Sequence, residues 1–235
     1  MKLSIVLGTY NRLTQLKRCL LSIYDFCEDY EVIVVDGGST DGTLDFLETN
    51  KLSGEGRRIW SLRQGKLLGA CKAFNAGFAV ARGEYVFNFN DDAWLVDKCL
   101  EAACVIMDKK SQVGQVAIPF GRGAMSSVRL DYTMPLADRR WLYGNFAVTR
   151  RALGDRLGWW GTDYYTYGGD AEISMKIWNA GYEVHPLHGY RVRHEETRDE
   201  LRRPNTDSPL FYAKWRQWKG PGDDDPRFGV EPRGA

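Results

Sequence analysis

Leu3-Ser4-Ile5-Val6-Leu7 is a short β-type run that stops at Gly8. From about Leu13 to Phe26 the apolar positions change to helical spacing, with Leu16, Leu20, Ile23 and Cys27 on one face. Glu31-Val32-Ile33-Val34-Val35-Asp36 is the clearest strand, apolar on both faces, as suits a parallel strand covered by helices on both sides. Gly37 to Gly42 forms a turn, in which Thr40 or Asp41 is placed to cap a helix over Thr43 to Thr49. A weaker strand follows near Arg58 to Leu62, and then a small-residue helix from about Ala70 to Ala81, broken by Gly83. Tyr85 to Phe89 is the next strand and runs into Asn90-Asp91-Asp92. This β-α-β-α-β-α-β order predicts a parallel α/β sheet with right-handed crossovers.

The second half is less regular. Its pattern predicts a helix from about Val96 to Lys109, a strand over Val113 to Ile118, and a long loop from Gly121 to Arg140. Gly144 to Thr149 reads as a strand and Asp170 to Ala180 as a helix, with short strands at Tyr182 to Pro186 and Tyr190 to Arg193. Beyond Arg198 the chain is charged and proline-punctuated, with one aromatic segment from Phe211 to Trp218.

At 235 residues the chain suits one α/β domain rather than two. Its 32 basic and 31 acidic residues leave a net charge of +1, which excludes a broad electrostatic footprint for nucleic acid. No apolar run approaches the roughly 18–20 residues of a membrane-spanning helix, though peripheral membrane association stays open. Met1-Lys2 enters a strand without a signal-peptide layout, and the five scattered cysteines read as mostly buried, reduced thiols, so a cytoplasmic location is expected. Six of the eight tryptophans lie beyond residue 140.

Parallel sheets bind ligands outside the carboxyl ends of their strands. Here those ends carry Thr9, Asp36, and Asp91 with Asp92. Asp36 either accepts hydrogen bonds from a nucleobase or ribose, or bonds the backbone of its own turn. Adjacent Asp91 and Asp92 repel one another unless a cation or solvent intervenes, and their hard oxygens suit Mg2+ or Mn2+; the alternative is a polar turn. Asp170 opens an amphipathic helix after Gly168-Gly169, as a plain cap or as a general base toward a hydroxyl. His185 and His188 flank a Pro-Leu turn and read as structural, whereas His194 can complete the coordination of a cation shared with Asp92. No G-x-G-x-x-G and no P-loop occurs, which removes the main support for Rossmann dehydrogenases and P-loop ATPases.

Several of these stretches carry a resemblance. Ser4 to Arg12, Glu31 to Thr43, Asn75-Ala76-Gly77, Ala81 to Val86 and Asn90-Asp91-Asp92 together are similar to the family 2 glycosyltransferases. These are inverting, nucleotide-sugar-dependent enzymes of the GT-A fold. The resemblance is dense over residues 1–100, thinner through 141–195 and absent from the tail. It implies a Rossmann-like, mostly parallel central sheet flanked by helices, as one domain over 1–219. Residues 1–100 would be its nucleotide-binding half and 101–219 the acceptor-side half, which holds a smaller acceptor-side subregion; the charged, proline-punctuated residues 220–235 read as a flexible tail.

It also implies that Thr9, Tyr10, Arg12 and Asp36 contact the nucleotide, with Asp36 on the base and Asp91 beside the donor sugar or ribose. Asp92 would be the principal ligand of Mn2+ or Mg2+, with His194 near the metal and diphosphate. Asp170 falls at the position of the catalytic base, with Glu172 as its fallback. Three departures stand out: Asn90 replaces the first acid of Asp-x-Asp, Gly169 replaces the Glu of a Glu-Asp pair, and Phe74 replaces a frequent basic residue. The implied partners are a nucleoside-diphosphate sugar donor and a glycan or glycoconjugate acceptor, with no nucleic acid. Aromatic faces suit sugar rings, so Trp141, Trp159, Trp160 and Tyr165 are expected to meet the acceptor, whereas Trp178 reads as core. A non-catalytic sugar- or nucleotide-sugar-binding module on the same fold is the competing reading. A sugar-phosphate nucleotidyltransferase would need a glycine-rich basic loop after the first strand, which Gly8 to Arg12 matches poorly.

Overall fold

The computed structural model describes residues 1–49, 57–122, 128–129, 133–136, 139–195 and 206–218. The first half lays down β1 (Leu3–Thr9), α1 (Leu13–Phe26), β2 (Tyr30–Asp36), α2 (Thr43–Thr49), β3 (Arg57–Arg63), α3 (Ala70–Phe78) and β4 (Tyr85–Asn90). There follow β5 (Ala93–Leu95), α4 (Cys99–Lys109), β6 (Val113–Ile118), β7 (Phe120–Arg122), β8 (Val128–Arg129), β9 (Thr133–Leu136) and β10 (Arg139–Leu142). Then come β11 (Phe146–Arg150), α5 (Arg151–Leu157), α6 (Gly169–Asn179), β12 (Glu183–Pro186), β13 (Val192–His194) and α7 (Asp207–Trp215). The tail expected to be flexible, 220–235, lies outside the described residues.

Seven strands form the central sheet in the order β12-β6-β11-β4-β1-β2-β3. Only β11 runs antiparallel to its neighbours. Strand alternation divides the core. Ile5, Leu7, Val32, Val34, Phe87 and Phe89 face a cluster with α1 and α4. Val6, Ile33, Val35 and Val86 face α3 and α6. The doubly apolar strand of the sequence, β2, is accordingly buried along its whole length.

Register places the chemistry. Thr9 pairs with Asp36 and Gly8 with Asn90, so β1, β2 and β4 end along one edge. A second sheet, β5-β13-β7-β8, sets His194 opposite Ala93, the residue after Asp92.

The helix expected over Ala70 to Ala81 stops at Phe78. The chain instead turns into β4, because Glu31 Oε1 accepts from the Arg82 N–H (2.8 Å) and Ser4 Oγ from the Gly83 N–H (2.7 Å). Gly83 passes so near β1 that a Cβ there would stand 2.5 Å from the Ser4 nitrogen. The next helix begins at Cys99 rather than near Val96, since Ala93 to Leu95 pair as β5 and Asp97 accepts from the Cys99 N–H. The expected long loop from Gly121 to Arg140 holds β8, β9 and the start of β10, and β9 and β10 pair as an antiparallel ribbon with Met134 opposite Trp141. All five cysteines are free and buried. Among the described residues no helix is long and apolar enough to cross a membrane.

Candidate active site

Asp36 closes β2 and is fully buried. Its Oδ2 accepts from the N–H groups of Gly38 (2.8 Å) and Ser39 (3.0 Å). Its Oδ1 is equally buried but has no hydrogen-bond partner among the described residues. The turn-bonding reading is realised through Oδ2, and Oδ1 leaves room for the other. An unpaired buried acceptor costs about 1–3 kcal/mol, which a ligand N–H would recover. Tyr10 and Leu67 flank the adjacent Gly37.

Thr9, expected to contact the nucleotide, closes β1 opposite Asp36. Its hydroxyl donates to Asp91 Oδ2 at 2.8 Å, so it braces the acidic pair. Asp91 and Asp92 are both buried, and Arg12 Nη1 lies 2.9 Å from Asp91 Oδ1 and 3.4 Å from Asp92 Oδ2. Burial pushes the Asp91 carboxyl up to about 6, with the Arg12 charge opposing and the Asp92 charge adding. His194 Nε2 sits 3.0 Å from Asp92 Oδ1, and Phe120 and Phe146 meet its ring edge-on. Asn90 Nδ2 lies 3.4 Å from that same nitrogen, so the residue replacing an acid sits beside the histidine. His185 instead pairs with Glu183.

No group of three or more His, Cys, Asp or Glu residues placed to hold a metal ion occurs among the described residues. Asp92 and His194 nevertheless converge as one carboxylate and one imidazole. That pair fits Mn2+ or Mg2+, which take their remaining ligands from waters and phosphate oxygens.

Asp170 stands at the start of α6, after Gly168 turns the chain with φ 94°. Its Oδ1 accepts from the Ala171 N–H (2.9 Å) and its Oδ2 from Asn145 Nδ2 (2.8 Å). Burial raises the Asp170 carboxyl above the ordinary value, and these bonds oppose the rise. Asn145 is itself fixed, since its carbonyl accepts from Asn88 of β4 at 2.6 Å. Sequence reading missed Asn145, whose sole signal is a polar residue at the entry of an apolar strand. Glu172, the fallback base, is fully buried; its Oε1 is ion-paired with Lys214 of α7, and its Oε2 has no hydrogen-bond partner among the described residues.

Asn145→Ala should raise the Asp170 carboxyl further by removing a bond to its charged form. The acid limb of the activity profile, measured from pH 5 to 9, should then move to higher pH; an unmoved limb would show that Asn145 does not tune Asp170.

The aromatic expectation needs correction. Trp141, Trp159 and Trp160 are 2%, 8% and 7% exposed and belong to the core beneath α3 and α6. Trp159 stacks on Phe78 and Trp160 lies against Phe74, each with ring centres 4.4 Å apart, while Trp141 packs edge-on against Trp178. Their ring faces are covered by protein. Asn75 ties Trp160 down, donating to its carbonyl (2.9 Å) and accepting from its N–H (3.2 Å). Phe74, standing where a basic residue is frequent in the family, thus serves packing. Tyr165 is half-buried and keeps some surface.

Comparison with known proteins adds to this geometry. The family model described as glycosyl transferase family 2 matches residues 4–193. An uncharacterized glycosyltransferase of Nostoc sp., alr2836, is 37% identical over 98 residues, which are 40% of this chain and 29% of that protein. The poly(ribitol-phosphate) beta-glucosyltransferase of Bacillus spizizenii is 33% identical over 103 residues, 43% of this chain and 16% of its own length. The chain thus matches less than a third of either relative. S. aureus TarS superposes with a TM-score of 0.68 at 21% identity, covering 83% of this chain and 37% of TarS. The mannosyltransferase PcManGT from Pyrobaculum calidifontis, solved with GDP-Man and Mn2+, gives a TM-score of 0.67 at 22% identity over 85% of this chain and 58% of its own. These likenesses identify the mixed α/β architecture as the GT-A fold. Matched from β1 into β13, the chain belongs to glycosyl transferase family 2.

Proposed function

We propose that this protein transfers a hexosyl or related sugar from a nucleoside-diphosphate sugar to an acceptor hydroxyl on a glycan or glycoconjugate, with inversion at the anomeric carbon. The observation that carries the reading is the buried Oδ1 of Asp36, without a partner among the described residues, on the same sheet edge as Asp91 and Asp92. A base-binding acceptor and a diphosphate-binding end stand side by side there. TarS has been solved with UDP-GlcNAc and PcManGT with GDP-Man and Mn2+, which supports a nucleoside-diphosphate sugar as donor. Five free, buried thiols agree with a reducing, cytoplasmic setting.

In this reading Asp36 Oδ1 accepts a hydrogen bond from the nucleobase, and Tyr10 flanks the same turn. Asp92 and His194 would hold Mn2+ or Mg2+, which when bound neutralises charge on the diphosphate leaving group. Thr9 and Arg12 hold the acidic pair in place. Asp170 takes the proton of the acceptor hydroxyl. The new bond joins that oxygen to the anomeric carbon as the bond to the diphosphate oxygen breaks, and nucleoside diphosphate departs.

The test is nucleoside-diphosphate release from a panel of sugar nucleotides with Mn2+ and varied polyol and glycan acceptors, followed by proton NMR of the product. One donor should be consumed and the product anomer should be inverted. Retention of configuration would overturn the mechanism, and tight donor binding without turnover would favour the non-catalytic module.

A further inference from the structure

Asp207 is a buried carboxylate that the proposed mechanism does not use. It is 4% exposed and opens α7, beyond residue 193, where the match to the family ends. Its Oδ1 accepts from the Tyr165 N–H (3.1 Å), and its Oδ2 from the N–H groups of Thr166 (2.8 Å) and Tyr167 (2.9 Å). Three successive amides thus converge on one carboxylate, an arrangement that binds anions well. Although burial pushes its carboxyl up, these bonds hold it below the ordinary carboxylate value, so it is ionised at neutral pH.

The three residues lead directly into Gly168-Gly169-Asp170. Two further contacts bind α7 to the same region: Phe211 lies against Tyr164, and Lys214 pairs with Glu172 of α6. The segment is held on its other side too. The Tyr165 carbonyl accepts from the Cys71 N–H (3.2 Å) at the start of α3. Gly69, with φ +94°, comes so close that a Cβ there would stand 2.5 Å from the Tyr165 oxygen. Residues 165–167 therefore bridge α3, in the nucleotide half, and α7.

We propose that Asp207 is a positioning residue, through which α7 anchors the 165–167 segment and so sets where Asp170 and Tyr165 stand toward the acceptor. This rests on the transferase reading above. None of Asp207's own bonds reaches Asp36 or Asp92, and the segment bonds to the nucleotide side through the backbone carbonyl of Leu67 and the backbone amide of Cys71. The anchor therefore acts on turnover more than on nucleotide affinity.

The test compares full-length Asp207→Ala and Asp207→Asn with the wild type. In the alanine variant, exchange of the 165–167 amides should speed up by about 100-fold or more, since three charge-assisted bonds are lost. Nucleoside-diphosphate affinity and the KM for the sugar nucleotide should stay within about twofold, while kcat for its release falls about tenfold or more. Asparagine keeps one acceptor oxygen and should recover part of both effects; should the alanine variant fail to fold, it decides alone. Undiminished turnover with freely exchanging amides would overturn the proposal. Equal loss of nucleotide binding and turnover would also overturn it, by reducing Asp207 to general scaffolding. A wild type that releases no nucleotide from any donor would defeat the transferase reading instead, and the exchange data would still decide whether Asp207 holds the segment.

Discussion

Asp170→Asn is expected to lower sugar transfer by about 10²–10⁴-fold while leaving nucleoside-diphosphate affinity within about twofold. The amide is isosteric and cannot accept the proton. Its carbonyl can keep the Ala171 N–H bond, and Asn145, whose Oδ1 is buried without a partner among the described residues, can turn to accept from the new NH2. Stability gives a second readout. Burial raises the Asp170 carboxyl in the folded state, with the two hydrogen bonds opposing. A raised folded value means that the associated stability is complete below the unfolded value, near 3.9, and is lost as pH rises through the folded one. Asn cannot ionise and escapes that loss. The melting temperature of the variant relative to wild type should therefore climb between pH 4 and pH 7, while its activity stays near zero throughout. An active variant would remove Asp170 from the chemistry.

Asp92→Ala should abolish the Mn2+-dependent part of nucleoside-diphosphate binding. Its Oδ1 is the carboxylate oxygen that meets His194 Nε2 at 3.0 Å, and alanine leaves the imidazole alone. Loss of outer-shell partners already weakens metal sites by about 10–100-fold, and a direct ligand should cost at least that much. Arg12 would keep its 2.9 Å contact with Asp91, so the remaining acid stays compensated and the fold should survive. Calorimetric titration of nucleoside diphosphate with and without Mn2+ separates the two parts. Wild type should bind more tightly with the ion, and the variant equally with either. A variant that retains the ion-dependent gain would place the cation elsewhere.

The first four elements were legible because each is governed by one local rule. β2 is apolar on both faces, as a central parallel strand must be, and α1 shows its buried stripe at Leu16, Leu20 and Ile23. The grouping of the acids was legible for a related reason: strands of a parallel sheet end along one edge, which brings Asp36 and the Asp91–Asp92 pair to the same side. What escaped depends on contacts far apart in sequence. Pro135 in β9 breaks any strand-like run, and the ribbon with β10 exists because Met134, Leu136 and Trp141 find a common core. Composition alone could not tell a tryptophan facing sugar from one packed on Phe74 or Phe78. Asp207 looks like an ordinary helix-starting acid in sequence; only folding brings the amides of Tyr165 to Tyr167, some forty residues away, onto it.

The measurement closest to the heart of the functional reading is the melting temperature of the wild type with UDP, GDP, dTDP and ADP, each with and without Mn2+. A ligand at about 100 times its Kd stabilises by about 2.7 kcal/mol, which for a domain of this size raises the melting temperature by about 5–10 °C. At least one nucleoside diphosphate should give a rise of that order, larger with Mn2+ and absent from Asp36→Ala. No shift with any of the four, with or without the ion, would contradict a sugar-nucleotide site at the Asp36–Asp92 edge.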